Sequence, residues 1–200
     1  MESNGNRVLS DFDRTAMIEC LTGTFENMLE LMGISKDDPQ TKETPGRMAK
    51  MYVNELCSGL YDEEPKITVF PNTKEYDEMV LLGPVQIKSI CSHHFIPFIG
   101  NAYIAYIPDK KVIGISKLAR ICKWFMRRPQ IQEELTKQIA DYLQEKLSPK
   151  GVAVFIEAQH LCMTARGVEE HASQMKTSDL RGAFIEKPEA RQEFFNMITN

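Results

Sequence analysis

The chain has no apolar run approaching the roughly 20 residues of a membrane-spanning helix. Its opening residues, Met1 to Val8, lack the apolar core of a secretory signal. These two absences point to a cytoplasmic protein with no membrane partner and with reduced thiols. There is no excess of positive charge: 24 Lys and Arg stand against 28 Asp and Glu, a net of −4. Bulk electrostatics therefore gives no reason to expect nucleic acid binding, and an anionic ligand needs a local group of cations. The five cysteines are odd in number and irregular in spacing, which argues against a disulfide framework. Internal repeats and low-complexity stretches are absent. Histidine is scarce, four in all, and all but His171 stand beside a cysteine.

That concentration is the chain's strongest chemical signal. Cys91-Ser92-His93-His94 and His160-Leu161-Cys162 are far apart in sequence, and each follows a strand-like run. Cys91 and His94 are three apart, and with the distant Cys162 they make three borderline-soft ligands for zinc. Three protein ligands leave a position for water, the arrangement of catalytic zinc. His93 and His160 are then left beside the metal, free to move protons. The remaining cysteines, Cys20, Cys57 and Cys122, occupy apolar positions of helix-like patterns and read as small buried hydrophobes.

The spacing of apolar residues predicts the elements. Ser10 caps a helix carrying Met17, Leu21, Phe25, Met28 and Met32, with Gly33 at its end. Thr44-Pro45 opens a second helix, stopped by Ser58-Gly59. Strands follow at Lys66–Phe70, at Glu78–Ile90 with a break near Gly83-Pro84, and at Ala102–Ile107. Ser116 caps a helix with Leu118, Ile121, Cys122 and Phe125 inward. Pro129 restarts it as a longer helix through Leu147, and Val152–Gln159 alternates as a strand. Residues 163–185 read as strand plus loop, and Pro188–Ile198 as a terminal helix. The outcome is α+β: a helical region over residues 1–65, then an antiparallel sheet with a helix pair on one face over 66–200. Residues 1–9 read as a disordered or strand-pairing arm.

Several stretches resemble the type I GTP cyclohydrolases. They are Glu43–Val53 (ETPGRMAKMYV), Cys91–Phe95 (CSHHF), Ala105–Pro108 (AYIP), Val112–Lys117 (VIGISK), Arg128–Glu133 (RPQIQE) and His160–Gly167 (HLCMTARG). They occur in the family's order and span nearly the whole chain. The resemblance implies a tunnelling fold whose subunits join their sheets into rings, giving a homodecamer of two pentamers with sites at subunit interfaces. It implies conversion of GTP and water into 7,8-dihydroneopterin triphosphate and formate. Cys91, His94 and Cys162 correspond to zinc ligands, and His93 and His160 to the acid/base residues. Glu133, with Gln132, matches the purine-recognition position. A carboxylate there accepts from guanine N1–H and the exocyclic amine, a donor pair that adenine lacks. Ser116, Lys117, Arg120, Arg166, Arg47 and Lys50 resemble the triphosphate-binding set.

The chain departs from the family at Ser92, where glutamate is usual, and over Val168–Leu180. Two other readings stay open at this level. One is a related zinc hydrolase acting on another guanine nucleotide or stopping at the ring-opened formamide. The other is a non-catalytic ring assembly whose zinc is structural, closed by His171.

Overall fold

The computed structural model describes residues 7–199. It divides into two compact units, one ending at Glu63 and one beginning at Glu64. Of the arm expected at residues 1–9, positions 1–6 lie outside the described residues. Leu9 is buried and its N–H donates to the Tyr61 carbonyl (3.2 Å).

In the first unit Ser10 caps α1 (Asp11–Leu31): its Oγ accepts from the Asp13 N–H at 3.1 Å. Gly33 follows with a φ of 77°, the left-handed turn that glycine allows without steric cost. α1 packs on α2 (Thr44–Met51), which has Pro45 in its first turn and runs into a wider π-type turn at Tyr52–Leu56. Phe25 stacks on Tyr52 with ring centroids 5.8 Å apart. No α1 residue is fully buried, and Cys20, expected inside, is exposed. Cys57 is buried as expected.

The second unit is built on a five-stranded sheet in the order β5-β2-β3-β6-β7. Its long strands are β2 (Val80–Cys91), β3 (Pro97–Ile107), β6 (Gly151–His160) and β7 (Met175–Gly182), each antiparallel to its neighbour. Register slips between Leu82 and Val85, where Gly83-Pro84 interrupts β2 as its sequence announces. The predicted first strand is not part of this sheet. β1 (Val69–Pro71) pairs with β4 (Lys111–Ile113) as a separate two-stranded ribbon.

Two helix starts differ from expectation. α3 (Ile115–Met126) begins after an extended Gly114, so Ser116 lies inside its first turn and caps nothing. Pro129 opens no helix. Pro129–Gln130 is β5, parallel to Ile90–Cys91 at the edge of β2. Proline disfavours helical backbone in the residue before it. The Gln130 amide then anchors the segment, donating to the Phe125 carbonyl (2.6 Å) and Ser89 Oγ (3.3 Å). α4 (Gln132–Leu147) starts after β5.

α3 and α4 cover one face of the sheet. Leu118, Ile121, Cys122, Phe125, Leu135, Ile139, Leu143 and Leu147 meet Ile87, Ile104, Val152, Val154 and Ile156 in one core. The reverse face is not left bare. α6 (Ala183–Glu186) and α7 (Pro188–Thr199) set Phe184 and Phe194 against Ala105 and Ala153, all fully buried. Among the described residues no helix is long and apolar enough to cross a membrane.

Candidate metal centre and active site

The sheet's register builds the site. β2 ends at Cys91 and β6 ends at His160, on either side of β3, with His160 opposite Phe98. α5 (Leu161–Thr164) turns directly off β6 and carries Cys162. One ligand atom each from Cys91, His160 and Cys162 lies within 4.8 Å of the others. Cys91 is 3% and His160 8% exposed, while Cys162 is half-buried, so the group is largely shielded from water. Burial, and then the neighbouring Cys91 sulfur, push the Cys162 thiol above its ordinary range; the Arg166 charge pulls weakly the other way. Two adjacent thiols resist ionising together, and a cation between them removes that penalty. Two sulfurs and an imidazole form a donor set that suits zinc.

The structure distributes the remaining histidines unevenly. His93 turns its Nδ1 toward Cys91 Sγ, 3.8 Å away, on the turn joining β2 to β3. His94 is exposed on that turn, edge-on to His93 with centroids 6.4 Å apart, and is not in the three-residue group. His171 is also outside the group; its carbonyl accepts from Gln159 Nε2 at 2.8 Å. A fourth protein ligand that would close the site is therefore not gathered among the described residues.

His160 is held on two sides. Its ring stacks on Phe98 at 4.7 Å and 7°, and its Nε2 lies 2.9 Å from Gln132 Oε1. Burial lowers its basicity, partly countered by the Glu133 carboxylate. Gln132 is 0% exposed and its amide is engaged by the protein. Glu133, beside it in the first turn of α4, is exposed and close enough for its charge to act on His160.

The expected cations are spread out. Arg166 follows α5 near Cys162. Ser116, Lys117 and Arg120 lie in the first two turns of α3, which starts beside Tyr106, whose hydroxyl accepts from the Ile113 N–H (3.2 Å). Tyr106 is eight residues along β3 from Phe98, roughly 26 Å at strand rise. Within one chain, Ser116 and Lys117 therefore stand at the opposite end of the sheet from the cysteines. Arg47 and Lys50 are exposed on α2, in the first unit. Sequence reasoning missed Phe98 and Thr177. Both reach the site only through strand register, which no local motif announces.

A largely buried cluster of two thiols and one imidazole at a sheet end defines an α+β protein with a donor group that could hold a metal ion. The chain matches the family model for GTP cyclohydrolase I over residues 21–199 and belongs to that family. A GTP cyclohydrolase 1 from Aeromonas salmonicida (strain A449) is 46% identical over 177 residues, covering 88% of this chain and 81% of the relative. One from Sulfurihydrogenibium sp. (strain YO3AOP1) is 47% identical over 174 residues, 86% and 91% of the two chains. A solved structure, the archaeosine synthase QueF-Like in the apo form, aligns at TM-score 0.39 and 14% identity, over 60% of this chain and 97% of that one. That likeness is too distant to carry weight.

Proposed function

We propose that the protein is a zinc-dependent GTP cyclohydrolase that opens the guanine imidazole ring at C8, releases formate and yields 7,8-dihydroneopterin triphosphate. The observation that carries this reading is the convergence of Cys91, Cys162 and His160 in a chain of this family. Cys91 and Cys162 supply two thiolates to zinc, and His94 is the third ligand by its motif. His160, with a ring nitrogen within 4.8 Å of both thiols, is the competing candidate. Zinc bound there supplies Lewis acidity, enough to make water nucleophilic near neutral pH.

The chain's own residues do the rest. Glu133, exposed beside His160, accepts hydrogen bonds from guanine N1–H and the 2-amino group. This is the kind of recognition in which a missing donor pair is heavily penalised. His160, kept uncharged by burial, and His93 carry protons to the ring nitrogens as the C–N bonds break. Arg166 lies on the same side as Cys162 and serves the triphosphate. Ser116, Lys117 and Arg120 are at the far end of the sheet and reach a triphosphate only at a neighbouring chain's site. Arg47 and Lys50, on α2 of the first unit, are the remaining triphosphate cations that the family resemblance implies.

The sheet is built for such neighbours. β7 has no outer partner among the described residues, and β2 is covered only by the two-residue β5. Open edges of this kind are templates for pairing with another chain, in keeping with a homo-oligomer of decameric type.

The test is incubation of zinc-quantified protein with GTP, following formate and, after oxidation, pterin fluorescence. Equal yields of both are expected. Formate without pterin would move the reading to an arrested hydrolase, and intact GTP beside bound zinc would reject it. Zinc counts on Cys91→Ala, His94→Ala and His160→Ala identify the ligands. Glu133→Gln is expected to raise the KM for GTP at least tenfold with zinc content unchanged; an unchanged KM would remove Glu133 from the pocket.

A further inference from the structure

Gln132 makes more hydrogen bonds than a recognition residue can spare. Its Nε2 lies 3.1 Å from the Ile156 carbonyl, 3.1 Å from the Met175 carbonyl and 3.0 Å from Thr177 Oγ1. Two of these three are carbonyl oxygens, which only accept, so the atom facing them must be the amide nitrogen. That fixes the direction of the side chain, and the carbonyl oxygen Oε1 points at His160 Nε2, 2.9 Å away. Thr136 braces the arrangement: its hydroxyl donates to the Gln132 backbone carbonyl (2.8 Å) and lies 2.7 Å from Thr177 Oγ1. Gln132, Thr136 and His160 are all buried, at 0%, 2% and 8% exposure.

An amide oxygen can only accept, so the nitrogen opposite it must carry a proton. We infer that Gln132 is a positioning residue that holds His160 in the Nε2–H tautomer and leaves Nδ1 as its open nitrogen, with Thr177 on β7 and Thr136 on α4 keeping the amide from turning over. The stack on Phe98 fixes the plane of the ring, and the amide fixes which of its two nitrogens is free. Three elements that share no motif, the start of α4, the end of β6 and the start of β7, thus set the identity of one lone pair. Gln132 touches no substrate in this assignment, and Thr177 and Thr136 act only through it.

The structural claim is tested apart from activity. The chain has four histidines, so 15N-histidine solid-state NMR of the wild-type protein is tractable, with His160→Gln identifying the relevant signals. A protonated Nε2 and an unprotonated Nδ1 at His160 are expected, whether or not metal is bound. Protonation at Nδ1, or an even mixture of tautomers, would overturn the assignment. Gln132→Met removes the acceptor at similar volume and should convert that signal to a mixture.

The kinetic arm rests on the cyclohydrolase reading. Gln132→Met is expected to lower kcat for formate release by about 10–100-fold, the usual cost of losing a group that orients a site ligand or base, with KM for GTP within about twofold. Thr177→Val should give a smaller fall, and Thr177→Ser should restore wild-type rates. A raised KM with unchanged kcat in Gln132→Met would make Gln132 a substrate contact and reject the positioning role. If wild-type protein leaves GTP intact, the functional reading fails while the NMR result still decides the tautomer.

Discussion

Burial, more than sequence context, separates the chain's thiols. Burial pushes Cys57 up to about 11 and Cys122 up to about 12, against an ordinary value of 9.0. Cys20 is exposed. The folded state keeps its buried thiols protonated at a pH where an unfolded thiol has already ionised. Their contribution to stability is therefore complete below about pH 9 and is lost as pH rises toward 11 and 12. Cys122 is 0% exposed, so its effect is the easier to isolate. Between pH 8 and pH 10.5, urea unfolding of Cys122→Ala should lose about 1–2 kcal/mol less stability than the wild-type chain does. Equal losses in the two proteins would show that Cys122 does not titrate on unfolding. A thiol reagent at pH 8 should modify Cys20 promptly while leaving Cys57 and Cys122 untouched.

At the scale of elements, the sheet's tightest point is where β3 passes β6. Gly100 pairs with Ala158, and a Cβ at position 100 would collide with the Glu157 carbonyl oxygen and the Ala158 backbone. Glycine in a strand interior usually marks such an approach of another backbone. Gly100→Ala is expected to cost about 2–3 kcal/mol in chemical denaturation, the upper range for overpacking a rigid site; a loss under about 0.5 kcal/mol would mean that the strands separate easily here. The strands β2, β3 and β6 and the apolar stripes of α3 and α4 were legible in sequence because each repeats apolar residues at a regular spacing. The exceptions share a physical cause. Pro129 reads as a helix start, but the segment is held as a strand by Gln130, whose amide reaches Ser89 and Phe125. β1 alternates like any strand, but nothing local could say that its partner is β4 and not the main sheet. The nearness of Cys91 to the His160–Cys162 pair was legible as residue types, since both Cys/His groups end strands. Which histidine joins the thiols depends on side-chain direction at the β2–β3 turn, and no spacing encodes that.

At the scale of the whole molecule, the proposed site is divided. The thiols lie where β2 and β6 end, while Lys117 begins α3 beside Tyr106 at the other end of the same sheet. α3 itself is 12 residues long, about 18 Å at helical rise, so a lysine side chain cannot span from its start to the cysteines. On the proposed reading, Lys117 serves the triphosphate at the site of another copy. In a closed symmetric assembly every interface is alike, so a contact between one copy's helix start and its neighbour's strand ends would recur at each one. Co-expression of Cys91→Ala and Lys117→Ala chains under separate tags tests this directly. Each variant alone should be inactive, the first for want of metal and the second for want of its anion contact. In mixed assemblies some sites receive an intact cysteine from one chain and an intact lysine from the other. Random mixing should therefore restore up to about a quarter of wild-type formate release. Mixed assemblies, verified by both tags, that stay as inactive as either parent would place both residues in one chain's site and rule out the shared arrangement.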